Sequence, residues 1–236
     1  MKYKNLVIVG TSHIAPESIS KVQRTISQEQ PEIVALELDK RRYHALLNKS
    51  DEGIELSAIR RLGLAGFAFA LIGRFAQRQL GSKTGMKPGE EFLAAALFCK
   101  ERRIHFTFID QDIEVTLQRF SKAFNGRELF RLMWDLISSP FRKDEGVELI
   151  NLNEIPDERL VRKIIAKVAK RYPSLYRVLV AERDEHMASQ LTELMRTHQG
   201  TIVAVVGAGH QEGLLNEVKK KFRELPSYSF TAHYEQ

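Results

Sequence analysis

The chain has 236 residues, 43% of them hydrophobic and 28% charged with both signs present, which excludes a disordered polymer and is enough to bury a sizeable core. Its net charge of +6 comes from scattered basic groups such as Lys40-Arg41-Arg42, Arg60-Arg61, Arg102-Arg103 and Lys219-Lys220-Lys221. No aromatic-interleaved basic motif, zinc finger or helix-turn-helix accompanies them, so they read as solvated helix faces and no nucleic-acid partner is expected.

In chain order, the apolar run Leu6-Val7-Ile8-Val9 reads as a buried strand ending in Gly10-Thr11-Ser12-His13. Pro16-Glu17-Ser18 opens a helix over about 16–30, proline and an early acid being suited to a first turn. A second strand over 33–36 runs into Glu37-Leu38-Asp39, and a helix over about 40–49 follows. Residues 62–73 are apolar on nearly every side, too short to span a bilayer, and have two readings: a core or homodimer-interface helix, or a membrane-surface contact. Lys87-Pro88-Gly89-Glu90-Glu91 opens a helix over 89–102. The third strand, over 104–109, meets Asp110-Gln111-Asp112. Helical sequence then continues to about 198, broken near Asn125-Gly126, Pro140, Pro156 and Pro173. The fourth strand, over 201–206, ends in Gly207-Ala208-Gly209-His210 before a last helix over about 212–223.

Continuous β-branched runs, rather than alternating ones, indicate strands covered on both faces. The expectation is a single α/β domain over 1–236, with a mostly parallel sheet of about four strands and a helical insertion over about 113–198. The lone Cys99 cannot form an internal disulfide, no signal peptide is visible, and no run reaches the ~18 apolar residues of a spanning helix. The chain therefore reads as a cytoplasmic-type soluble protein.

Two strands end in the same Gly-x-x-His pattern, giving His13 and His210. A glycine there is expected to permit a turn of unusual dihedrals, and ligands of parallel sheets sit beyond the strands' carboxyl ends. Glu37 is a carboxylate at the end of an interior strand, costly unless paired. Its partner is a functional cation or, structurally, a neighbour such as Arg41 or Arg42. Asp39 suits a helix N-cap. Asp110 is either a site member or a cap, with Asp112 beside it. The charges of Glu182-Arg183-Asp184-Glu185-His186 read mostly as a solvated face from which Arg183 could reach the crevice. Two imidazoles with a carboxylate form a ligand set for zinc, manganese or cobalt. Without metal, a His–Glu pair can deprotonate a water. Both routes end in hydrolysis. The rival reading is a module that binds peptide or haem and catalyses nothing, since histidines also ligate haem iron.

Gly10-Thr11-Ser12-His13-Ile14-Ala15-Pro16-Glu17-Ser18 and Val34-Ala35-Leu36-Glu37-Leu38-Asp39-Lys40-Arg41-Arg42 resemble the opening of the TraB/PrgY family, the pheromone-shutdown proteins. Lys87-Pro88-Gly89-Glu90-Glu91-Phe92, Ile109-Asp110-Gln111-Asp112-Ile113, Glu182-Arg183-Asp184-Glu185-His186-Met187 and Gly207-Ala208-Gly209-His210 resemble its later motifs, in the same order. That family is similar to a superfamily with the Tiki metalloproteases, erythromycin esterases and haem-binding ChaN-like proteins. The resemblance implies an EreA/ChaN-like α/β fold and a site on His13, Glu37 and His210, with Arg183 added. From the Tiki-like members it implies metal-dependent peptide cleavage, from the esterases a water activated by histidine and glutamate, and from the TraB-like proteins the blocking, sequestering or degrading of a peptide pheromone. Glu37, His13 and Arg183 would then serve catalysis, and His13, His210, Glu37 and Asp110 the metal. Many members carry a carboxyl-terminal membrane region, which leaves membrane association open here.

Overall fold

A computed structural model describes residues 1–11, 16–48, 59–63, 66, 67, 70, 89–123, 127, 128, 131, 134, 135 and 158–224. Its strands are β1 (Lys2–Tyr3), β2 (Leu6–Thr11), β3 (Ile33–Leu36), β4 (His105–Phe108) and β5 (Ile202–Gly207). Its helices are α1 (Pro16–Glu29), α2 (Lys40–Leu47), α3 (Glu90–Glu101), α4 (Ile113–Ala123), α5 (Glu158–Arg171), α6 (Pro173–Tyr176), α7 (Glu182–Thr197) and α8 (Gln211–Glu224). A five-residue π-helical turn, Arg177–Ala181, joins α6 to α7.

The sheet runs in the order β1-β2-β5-β3-β4. Strands β2, β5, β3 and β4 are mutually parallel, and the two-residue β1 pairs antiparallel with β2. The fold is thus α/β as expected, with five strands among the described residues rather than about four: β1 is too short to leave an apolar run in the sequence.

Side chains alternate across each strand, so β2, β3 and β5 each feed two cores. Leu6, Ile8, Ile33, Ala35, Ile202, Ala204 and Val206 pack against Met187, Leu191, Leu214 and Val218 of α7 and α8. Val7, Val9, Val34, Leu36, Val203 and Val205 pack against Val22, Ile26, Phe92, Ala95, Ala96 and Cys99 of α1 and α3. Central β5 is buried at every residue, the condition that its uninterrupted apolar sequence anticipates. Within the apolar segment 62–73, Leu62 and Phe67 are buried against Leu117 of α4, and the rest of it, apart from Gly63, Gly66 and Ala70, lies outside the described residues. Among the described residues no helix is long and apolar enough to cross a membrane.

Candidate functional site

Parallel pairing puts the carboxyl ends of β2, β3, β4 and β5 along one edge of the sheet. The β3–β5 ladder continues one step past the strand, since the Glu37 N–H donates to Val205 O over 2.9 Å. The period of two then turns Glu37 to the face of Ile33 and Ala35, the face covered by α7 and α8. The Ile109 N–H donates to Leu36 O over 3.0 Å, which brings Asp110 to the same edge. Arg183 and Asp184 stand in the first turn of α7, and His210 stands immediately before α8.

These five side chains make one cluster around the Arg183 guanidinium. Its Nε and Nη2 donate side-on to Asp110 Oδ1 and Oδ2 at 2.9 and 2.7 Å. Nη2 also donates to Glu37 Oε1 at 2.6 Å. Nη1 donates to Leu179 O at 3.3 Å, inside the π-helical turn, and lies 3.1 Å from His210 Nε2. The Gly207 N–H holds the other Glu37 oxygen, Oε2, at 2.6 Å. His210 Nε2 is 3.4 Å from Glu37 Oε1, and His210 Nδ1 is 2.7 Å from Asp184 Oδ1. The side chains of Glu37, Asp110 and Asp184 are 5%, 4% and 4% exposed, and that of Arg183 is 18% exposed.

The electrostatics follow from burial and charge number. Burial works against the Arg183 cation, but Glu37 and Asp110 outweigh it, so the guanidinium stays charged. Burial likewise pulls the His210 imidazole down. The Glu37 charge and the Asp184 hydrogen bond overcome that pull and hold it above its ordinary value. Burial pushes the Asp184 carboxyl up, and His210 offsets only part of the rise. His210 Nε2 thus has two partners of opposite demand: a neutral ring accepts from Arg183, and a protonated ring donates to Glu37. Two carboxylates, Glu37 and Asp110, thus face the guanidinium, and a third, Asp184, faces the imidazole.

The structure brings together Glu37, Asp110, Arg183 and His210 from the sequence reading. His13 lies outside the described residues, as do Ser12, Ile14 and Ala15. Its strand is β2, whose last residue Thr11 pairs with Gly207 of β5, so the two Gly-x-x-His segments leave adjacent strand ends. No group of three His, Cys, Asp or Glu side chains with metal-holding geometry occurs among the described residues.

Four expectations need correction. Glu37 pairs with Arg183 at 2.6 Å, across the chain and not only with a sequence neighbour, while Arg41 Nη1 bonds Glu114 Oε2 at 3.1 Å. Gly10 and Gly207 are strand residues and neither has a positive φ. At Gly10 the reason for glycine is room, because a Cβ would sit 1.7 Å from Gln211 Nε2. Asp110 is no helix cap; Asp112 accepts the Glu114 N–H instead, at 2.7 Å. Asp184, read as part of a solvated face, is buried and bonded to His210. The sequence did hold a signal for it. Asp184, Met187, Ala188, Leu191 and Met195 fall at i, i+3, i+4, i+7 and i+11, so the apolar stripe of α7 extends back to Asp184. Asp39 is the N-cap of α2 as expected, its Oδ1 accepting the Arg42 N–H at 2.8 Å.

The model of the TraB/PrgY/gumN family matches residues 2–221. An uncharacterized protein of Methanocaldococcus jannaschii is 33% identical over 92% of this chain and 54% of its own length. The TraB domain-containing proteins of Homo sapiens and Mus musculus are 28% and 27% identical over 88% of the chain and 61% of their own lengths. The chain therefore spans little more than half the length of these relatives.

Proposed function

The chain belongs to the TraB/PrgY/gumN family, and from that membership and the cluster around Arg183 we propose that it is a hydrolase that cleaves peptides with the help of a divalent metal. The observation that carries the reading is the 3.4 Å separation of Glu37 Oε1 and His210 Nε2. Two donors on one tetrahedral ion, with bonds of about 2.0–2.2 Å, stand roughly 3.3 Å apart. The donor chemistry also fits, an imidazole nitrogen beside carboxylate oxygens.

His210, Glu37 and His13 would hold zinc, manganese or cobalt, with Asp110 as a further oxygen donor. Bound there, the metal supplies Lewis acidity and lowers the pKa of a water toward ~7. The chain's own groups do the rest. Glu37, with Oε2 fixed by the Gly207 N–H, turns Oε1 toward the seat, where it would serve either as a ligand to the ion or as the base that takes a proton from water. Arg183 spans the seat between Glu37 and His210, so it must give up Nη1–His210 and Nη2–Glu37 to admit an ion. Its side-on pair with Asp110 can hold it nearby, where its charge would neutralise the oxyanion formed on the scissile carbonyl.

Elemental analysis of the purified chain tests the reading together with turnover of a peptide library. We expect one transition-metal ion per chain, lost in His13→Ala and in His210→Ala, and turnover lost in Glu37→Gln. Retention of the parent's metal by both histidine variants would overturn the assignment. A haem band in the absorption spectrum, without turnover, would replace it by a binding module.

A further inference from the structure

Resting on that site, we propose that Asp184 is a positioning residue: it fixes the proton of the neutral His210 ring on Nδ1 and so makes Nε2 the nitrogen offered to a ligand. A neutral imidazole has one N–H and one lone pair, and its neighbours decide which nitrogen carries which. Asp184 Oδ1 stands 2.7 Å from Nδ1. Of the two partners imidazole is the stronger base, so the shared proton rests on the ring. On the other side of the ring, Arg183 Nη1 points a donor at Nε2 from 3.1 Å, and guanidinium has no acceptor. With the proton on Nδ1 both contacts are hydrogen bonds. With the proton on Nε2, a lone pair would face the carboxylate at 2.7 Å and an N–H would face the guanidinium at 3.1 Å. At Nε2 the Arg183 donor, at 3.1 Å, stands closer than the Glu37 acceptor, at 3.4 Å, so the nearer contact at each end of the ring selects the same tautomer.

The surrounding packing is built to admit this carboxylate. Asp184 Oδ2 lies where a side chain at Gly213 would be, 2.1 Å from the position of a Cβ there. Gly213 and His210 belong to the same helical start, because the Leu214 N–H donates to His210 O over 2.8 Å. The α7–α8 contact therefore sets the Asp184–His210 pair as a unit. Carboxylate–imidazole pairs of this kind orient the ring nitrogen that meets a metal or a reacting proton.

Long-range proton–nitrogen NMR on the 15N-labelled full chain reads the tautomer directly, with the His210 signals assigned by their loss in His210→Gln. In the deprotonated parent ring we expect Nδ1 to carry the proton and Nε2 the lone pair. In Asp184→Asn the carboxamide can donate to Nδ1, and the population moves to the Nε2–H form. In Gly213→Ala the displaced carboxylate moves it the same way. A parent ring protonated on Nε2, or an Asp184→Asn ring unchanged from the parent, overturns the proposal. If the variants do not fold, the parent spectrum decides alone. Absence of turnover would sink the hydrolase reading while leaving the tautomer where it is, so the two failures are separable.

Discussion

Gly207 donates its backbone N–H to Glu37 Oε2 over 2.6 Å, fastening the residue after β3 to the last residue of β5. One oxygen of Glu37 is thereby committed to the sheet. The other stays aimed at Arg183 and His210, at 2.6 and 3.4 Å. The carboxylate is oriented by the same ladder that makes the fold, which is why its placement does not depend on a loop.

Arg183 is the counter-charge for two buried carboxylates, so its removal should cost far more than a surface charge does. Arg183→Met is expected to lose about 3–5 kcal/mol of unfolding free energy in urea titration, because Glu37 and Asp110 both lose the guanidinium that faces them. Adding Glu37→Gln and Asp110→Asn to that variant should recover part of the loss. A purely additive result would mean that the three side chains are not coupled.

Gly213 is expected to resist even the smallest side chain. Gly213→Ala forces either α8 or the Asp184 carboxylate to move, at a cost of about 1–3 kcal/mol in the same titration. An unchanged midpoint would show that the Asp184 side chain has room elsewhere.

His210 gives stability a pH dependence whose sign is fixed. Its folded pKa lies above the ordinary value of 6.5, so the folded state favours the protonated ring. The contribution is fully present below the unfolded pKa and is lost as pH rises through the folded one. The stability difference between the parent and His210→Gln should therefore shrink as the solution is made alkaline. A difference that grows with pH would contradict the assignment.

Asp39 caps α2 through one oxygen, while its other oxygen, Oδ2, is buried with no hydrogen-bond partner among the described residues. Burial pushes this carboxyl up. Asp39→Ala should cost about 1 kcal/mol through loss of the cap. Asp39→Asn, which keeps an oxygen for the Arg42 N–H, should cost less. Equal losses in calorimetry would assign the effect to packing and not to the cap.

The layers of this fold were readable because they are written in local patterns. The bounds of β3 coincide with its apolar run, and those of β2, β4 and β5 differ from theirs by one or two residues. Glu37 was visible as a charge at the end of an interior strand, and Asp110 as another at the same edge. The partner of Glu37 was not visible, because 146 residues separate it from Arg183 and nothing local distinguishes Arg183 from Arg41 or Arg42. Asp184 was hidden by its neighbours: Glu182 and Glu185 flank it, and the run looks uniformly solvated until the helical period is applied. The π-helical turn that offers Leu179 O to Arg183 has no sequence signature at all.

β5 lies between β2 and β3, yet it follows both of them, and every helix from α1 to α7, along the chain. During synthesis, β2 and the β3–β4 pair must wait as separate pieces until the ribosome has delivered residues 202–207. Until then both halves expose apolar strand edges that β5 covers in the finished sheet, the kind of edge on which chains aggregate. Because Gly207 and His210 come with that strand, the acidic centre is completed only when the whole sheet is.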